Sequence, residues 1–203
     1  VQASELSTYE DLVHQKWNNQ LLIRSSGNIY NQSLLASMIA NLGADEAEEW
    51  AANIMNNFAR SPQGNDRDQV KAILAGEGNL AIINTYYLGR LINSTDELES
   101  SAGNAVEVFF PNQEGRGTHI NVSGIGIAKH SNNAELATKF IEYLLSVDIQ
   151  EKFAHDNYEY PTNPKAEISE LLQSWGAFKE DSLALQKLGE LNREAVMIFD
   201  KIG

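Results

Sequence analysis

Apolar positions follow two alternating rhythms along the chain. Leu21-Leu22-Ile23 and Leu80 to Ile83 are short unbroken runs, the length of buried strands. Between and after them, apolar residues return every three or four positions, as one face of a helix does. Leu34, Leu35, Met38 and Ile39 predict a helix from Ile29 to about Leu42, stopped by Gly43. Trp50, Ile54 and Met55 predict a second over Asp45 to Phe58, and Asp66 to Ala75 reads as a third. Leu88 and Leu91 carry a fourth, which starts at Asn84-Thr85, both residue types that favour helix N-caps.

The remaining elements follow from the same rules. Ser7-Thr8-Tyr9-Glu10 has the form of a capping box and predicts a short helix towards Trp17. Ser94 to Asn104 is polar and reads as a loop. Val106 to Pro111 predicts a strand ended by proline, and Ile120 to Ala128 a strand interrupted by Gly124 and Gly126. Helices are expected over Asn133–Ser146, Val147–His155, Leu171–Trp175 and Ser182–Lys201. Strands alternating with helices across short turns place the chain in the α/β class.

Composition narrows the function. With 203 residues the chain has volume for one large domain or two modest ones. A net charge of −13 argues against a nucleic-acid partner, which needs a basic face. There is no cysteine, which removes disulfides, thiolate metal sites and thiol nucleophiles. No apolar run approaches the ~18 residues of a membrane span. The chain starts at Val1 without Met, as a processed or truncated product would.

Candidate chemistry gathers at two strand-to-helix junctions. Arg24-Ser25-Ser26-Gly27-Asn28 is a small, turn-prone segment ahead of a helix, and Tyr30 lies in that helix's first turn. Tyr86 and Tyr87 sit at the start of the helix that follows Leu80 to Ile83. Free N–H groups and the helix dipole favour anions at both places. Two readings are open for the tyrosines: amphipathic packing residues, or phenolates held by a hard trivalent cation. Adjacent tyrosines at a helix start project about 100° apart, so both can lean towards one ion off the helix end. The histidines His14, His119, His130 and His155 show no ligand spacing and read as surface or loop residues. Asp66 and Asp68 read as helix caps. No nucleophile elbow or paired carboxylates can be assigned, so no enzyme activity is expected.

Four segments in order resemble the ferric-ion-binding periplasmic proteins of bacterial iron ABC transporters. They are Arg24 to Gln32, Gln63 to Asp68, Asn84 to Arg90 and His119 to Gly124. The resemblance implies a type II periplasmic-binding-protein fold, with mixed sheets flanked by helices and two lobes in the intact protein. It implies Fe(III) ligated by Tyr30, Tyr86 and Tyr87, with carbonate or phosphate as companion anion on Ser26, Gly27, Asn28 and Asn84. It further implies delivery to an inner-membrane permease from the periplasm. By the same likeness residues 1–113 are second lobe, 114–164 contribute to the first, and 165–203 return to the second. About a hundred residues of the first lobe precede the corresponding point in that family. The 114–164 segment is therefore expected to expose apolar surface and to dimerise, swap or rearrange. Two alternatives stand beside iron. One is the same fold binding an organic or oxyanion solute such as thiamine, a phosphonate or a polyamine. The other is an effector-binding module of a regulator. The three tyrosines favour iron over both.

Overall fold

Two short parallel strands stand at the centre, β1 (Leu21–Leu22) and β2 (Leu80–Ala81). In the computed structural model, which describes residues 1–203, Leu21 pairs with Leu80 and Leu22 with Ala81. The Leu80 and Ile82 N–H groups donate to the carbonyls of Gln20 and Leu22, each at 3.0 Å. Phe58 bridges Leu21 in parallel, and Ala59 N–H donates to Leu21 O at 2.8 Å. Parallel neighbours need crossover connections, and helices supply them. α1 (Ile29–Leu42) and α2 (Ala44–Ile54) lead from β1 to Phe58, α3 (Asp66–Leu74) leads on to β2, and α4 (Thr85–Ile92) leaves β2.

The core forms where the helical periodicity placed it. Leu34, Leu35, Met38 and Ile39 of α1 are buried with Trp50 and Ile54 of α2. Ala195 and Ile198 of the last helix, α9 (Leu185–Ile202), close this cluster. Val70, Leu88, Leu91 and Ala102 make a second, smaller cluster, against which Trp175 packs.

Several expectations need correction. The Ser7 box is not formed; Thr8 Oγ1 instead accepts the Asp11 N–H at 3.1 Å, and the segment to Trp17 consists of short 3-10 turns. Ser94 to Asn104 is not all loop, because α5 (Glu97–Gly103) lies inside it, capped by Asp96 and packed on α4 through Ala102. The second helix ends at Ile54 and continues as a 3-10 turn, and the last begins at Leu185 rather than Ser182. The two later strands are absent: no backbone–backbone hydrogen bond involves residues 106–110 or 120–127. A pleated, apolar sequence becomes a strand only with a backbone to pair with, and none hydrogen-bonds to these segments.

The third quarter of the chain is thinly packed. α6 (Ala134–Leu144) buries no residue. Val122, Ile125, Leu136, Phe140 and Tyr143 are each more than half exposed, as expected for 114–164. The short α7 (Val147–Lys152) runs into a π-helical turn over Phe153–Asn157. Tyr158 follows in the left-handed region (φ 60°) and lays its ring on α4 at Gly89. A loop and α8 (Glu170–Ser174) lead to α9. The segment 112–119 is fastened by Thr118, which exchanges 2.8 Å backbone bonds with Lys179 and Asp181.

Candidate metal centre

The site grows from two helix N-termini. Asn28 caps α1 in the ordinary way, its Oδ1 accepting the Tyr30 N–H at 2.9 Å. Asn84 occupies the same position on α4 but does not cap it. Its backbone N–H and Nδ2 donate instead to Asp66 Oδ1 at 2.9 and 3.3 Å, and its Oδ1 accepts from Asn121 Nδ2 at 2.9 Å. The N–H groups of Thr85 and Tyr86 have no protein acceptor, so α4 keeps its positive end.

The three predicted tyrosines come together. Tyr30 and Tyr86 hold their hydroxyl oxygens 2.9 Å apart. The rings of Tyr86 and Tyr87 lie 4.2 Å apart, tilted by 31°. The Tyr87 hydroxyl is influenced by both other hydroxyls and by the Arg24 guanidinium. These are convergent phenols in a part-exposed cluster, not packing residues of the core.

Charge is distributed unevenly over the three. Burial, then the Tyr30 and Tyr87 hydroxyls, push Tyr86 far above the ordinary phenol range. The Tyr86 hydroxyl draws Tyr30 down, but burial, Tyr87 and Asp66 together leave it raised. Burial also raises Tyr87, yet the hydroxyls of Tyr86 and Tyr30 and the Arg24 guanidinium outweigh it and leave it lowered. Arg24 is ion-paired to Asp66, which is 1% exposed, and its guanidinium lies 5.5 Å from the Tyr30 ring centre. Arg90 lies 5.2 Å from the ring of Tyr86.

Asp66 and Arg24 lie in segments that carry the resemblance, yet neither was assigned to the site. Asp66 opens α3, where an acidic residue reads as a cap. Asn65 and Asp68 do the capping here, through reciprocal bonds of 2.7 to 3.4 Å. His119 also departs from expectation. Its ring is half-buried against Ser33 Oγ at 3.1 Å, and burial lowers it to about 4. The Ser26-Gly27 turn is exposed; Gly27 N–H is taken by Ser25 Oγ at 3.1 Å, while Ser26 Oγ and Asn28 Nδ2 have no partner. A cleft of about 1400 Å³ lies before Tyr30 and Tyr86, walled also by Asn84, Arg90, His119 and Asn121 among others. No three His, Asp or Glu side chains come together as a metal site.

The signature of bacterial extracellular solute-binding proteins matches residues 7–179. The chain belongs to that family. Iron uptake protein A1 of Synechocystis is 47% identical over 203 residues, which is all of this chain and 56% of that protein. A structure of Trichodesmium IdiA (FutA) in complex with iron and citrate superposes with a TM-score of 0.97 at 48% identity. It is covered over 64% of its length by the whole of this chain. The ferric binding protein from Campylobacter jejuni gives 0.95 at 42% identity, again with all of this chain and 64% of that one. The chain thus spans a little over half the length of the curated relatives it matches. Its fold is that of the type II periplasmic binding proteins, α/β as the alternation of strands and helices predicts. In this solute-binding family member, no helix is long and apolar enough to cross a membrane.

Proposed function

We propose that the chain belongs to the solute-binding component of an iron(III) ABC transporter, and that Tyr30, Tyr86 and Tyr87 ligate Fe(III) as phenolates. The 2.9 Å between the Tyr30 and Tyr86 oxygens carries this reading. Two oxygens about 2 Å from a small, hard ion and at right angles lie about 2.8 Å apart. The tyrosines therefore stand near ligand spacing before any ion enters. Three phenols that each lose a proton to solvent supply three negative charges, which match a trivalent cation. Phenolate oxygen is the hard donor such a cation prefers. The free N–H groups of α4 and the Arg24 guanidinium favour the anionic cluster.

Binding, rather than catalysis, is the role of this site. The intact protein has two lobes, with 1–113 and 165–203 in the second lobe and 114–164 in the first. The exposed apolar residues of α6 and the unpaired 106–110 and 120–127 segments support that division. Closure of the lobes stabilises the loaded state. The protein works in the periplasm and hands iron to an inner-membrane permease. Reopening, protonation of the phenolates or reduction to Fe(II) releases the ion. A companion carbonate or phosphate finds free donors on Ser26 Oγ and Asn28 Nδ2; Gly27 and Asn84 are more fully engaged.

The test is a visible spectrum of the full-length protein titrated with ferric citrate, beside Tyr86→Phe and Tyr87→Phe. A blue-green charge-transfer band, weakened in each variant and lost in the double, is expected. A colourless wild-type protein refutes the assignment and favours an organic or oxyanion solute.

A further inference from the structure

We propose that Asp66 is a positioning residue for the tyrosine cluster, acting on the Tyr30 and Tyr87 phenols through Arg24 and on Tyr86 through Asn84. The inference rests on the reading of the tyrosines as metal ligands. It begins from an apparent redundancy. Asp66 is the first residue of α3, yet Asn65 and Asp68 already satisfy that helix end by a complete capping box. The Asp66 carboxylate is free for other work, and both its oxygens are committed towards the site. Oδ2 holds Arg24, and Oδ1 receives both the backbone N–H and the side-chain amide of Asn84.

Each of those two contacts leads towards the phenols. Arg24 lies 5.5 Å from the ring centre of Tyr30 and acts electrostatically on the Tyr87 hydroxyl, so the buried carboxylate fixes where the guanidinium stands beside the phenols. It also neutralises the guanidinium, so a cation entering among the phenols does not face an unbalanced positive charge. Asn84 immediately precedes α4. By drawing the Asn84 side chain away from the helix end, Asp66 leaves the Thr85 and Tyr86 N–H groups uncapped beside the phenols. The same amide receives Asn121 Nδ2 at 2.9 Å, which ties residue 121 of the unpaired segment to the ligand helix. A buried acid–base pair kept only for stability is a poor investment, since well-packed apolar residues serve as well or better. A pair whose outer ends lie beside the prospective ligands has a use that apolar residues cannot replace.

Asp66→Asn, Arg24→Gln and the double variant test this in the full-length protein. Asp66→Asn keeps an acceptor for Asn84 but leaves Arg24 unneutralised. It is expected to weaken ferric binding about 10- to 100-fold and to move the charge-transfer band to shorter wavelength. In the Arg24→Gln background, Asp66→Asn is expected to leave the band where it is. A purely structural role predicts the reverse: lower thermal stability, an unmoved band and additive effects, and that result overturns the proposal. A second measurement needs no iron. In metal-free protein carrying ¹³C-labelled tyrosine, the Tyr87 ring signal should shift with Asp66→Asn only while Arg24 is present. If it does not shift, the proposal fails whatever the colour of the loaded protein. If it shifts while the wild type stays colourless with ferric citrate, the iron reading fails and the positioning of Tyr87 stands.

Discussion

Replacing Gly89 by alanine sets two known effects against each other. In a helix interior alanine is favoured over glycine by about 1 kcal/mol, so propensity alone predicts a more stable protein. The structure predicts the opposite. A Cβ on Gly89 would lie 2.4 Å from Tyr158 Cγ, 2.5 Å from its Cβ and 2.8 Å from its Cδ2. Rotation about χ1 cannot carry Tyr158 Cβ away, because that atom is fixed by the backbone at φ 60°. Either α4 or the 153–158 turn must shift, and overpacking of this kind costs about 1–3 kcal/mol. The net loss is up to about 2 kcal/mol, or a fall in Tm of up to roughly 8 °C for a chain of this size. Thermal and urea unfolding measure it. The partner variant Tyr158→Gly removes the ring and the strained left-handed residue. In that background Gly89→Ala should reverse sign and stabilise by up to ~1 kcal/mol. An alanine that stabilises the wild type would refute the packing argument. Because α4 carries Tyr86 and Tyr87, the same variant should also weaken ferric binding.

Two further outcomes are expected. Leu35 is fully buried between α1, α2 and α9, so Leu35→Ala should cost about 2–5 kcal/mol by equilibrium urea unfolding. His119, lowered by burial to about 4 with Asp181 and Arg116 nearby, binds its proton more weakly folded than unfolded. Stability should therefore rise with pH between about 4 and 6.5, and fall as pH drops through that window, by at most about 3 kcal/mol. His119→Gln should flatten the profile there.

The sequence was most readable where local chemistry decides local structure. α1, α3 and α4 begin within a residue or two of their cap signals. Tyr30, Tyr86 and Tyr87 could be placed at helix starts because N-cap residues precede them. It was least readable where a second segment decides. Val106 to Pro111 and Ile120 to Ala128 carry the pattern of strands, but a strand is a relation between two segments. α5 was hidden because its sequence is polar. Its signals were Asp96 with Glu99 three residues on, and Gly103, where a Cβ would meet Ile92 N at 2.6 Å. That close approach to α4 is visible only in three dimensions. Asp66 was misread for a similar reason: its position along the chain says cap, while its partners Arg24 and Asn84 are 42 and 18 residues away.

The packing of α9 has a bearing on biosynthesis. α1, which presents Tyr30, rests on Ala195 and Ile198 of a helix made some 150 residues later, and Lys201 reaches back to Glu48. The early helices can form on a nascent chain, but their apolar face stays open until residues 185–202 have emerged from the ribosome. The packing behind Tyr30 is therefore completed late. A holding chaperone has a long interval in which to act.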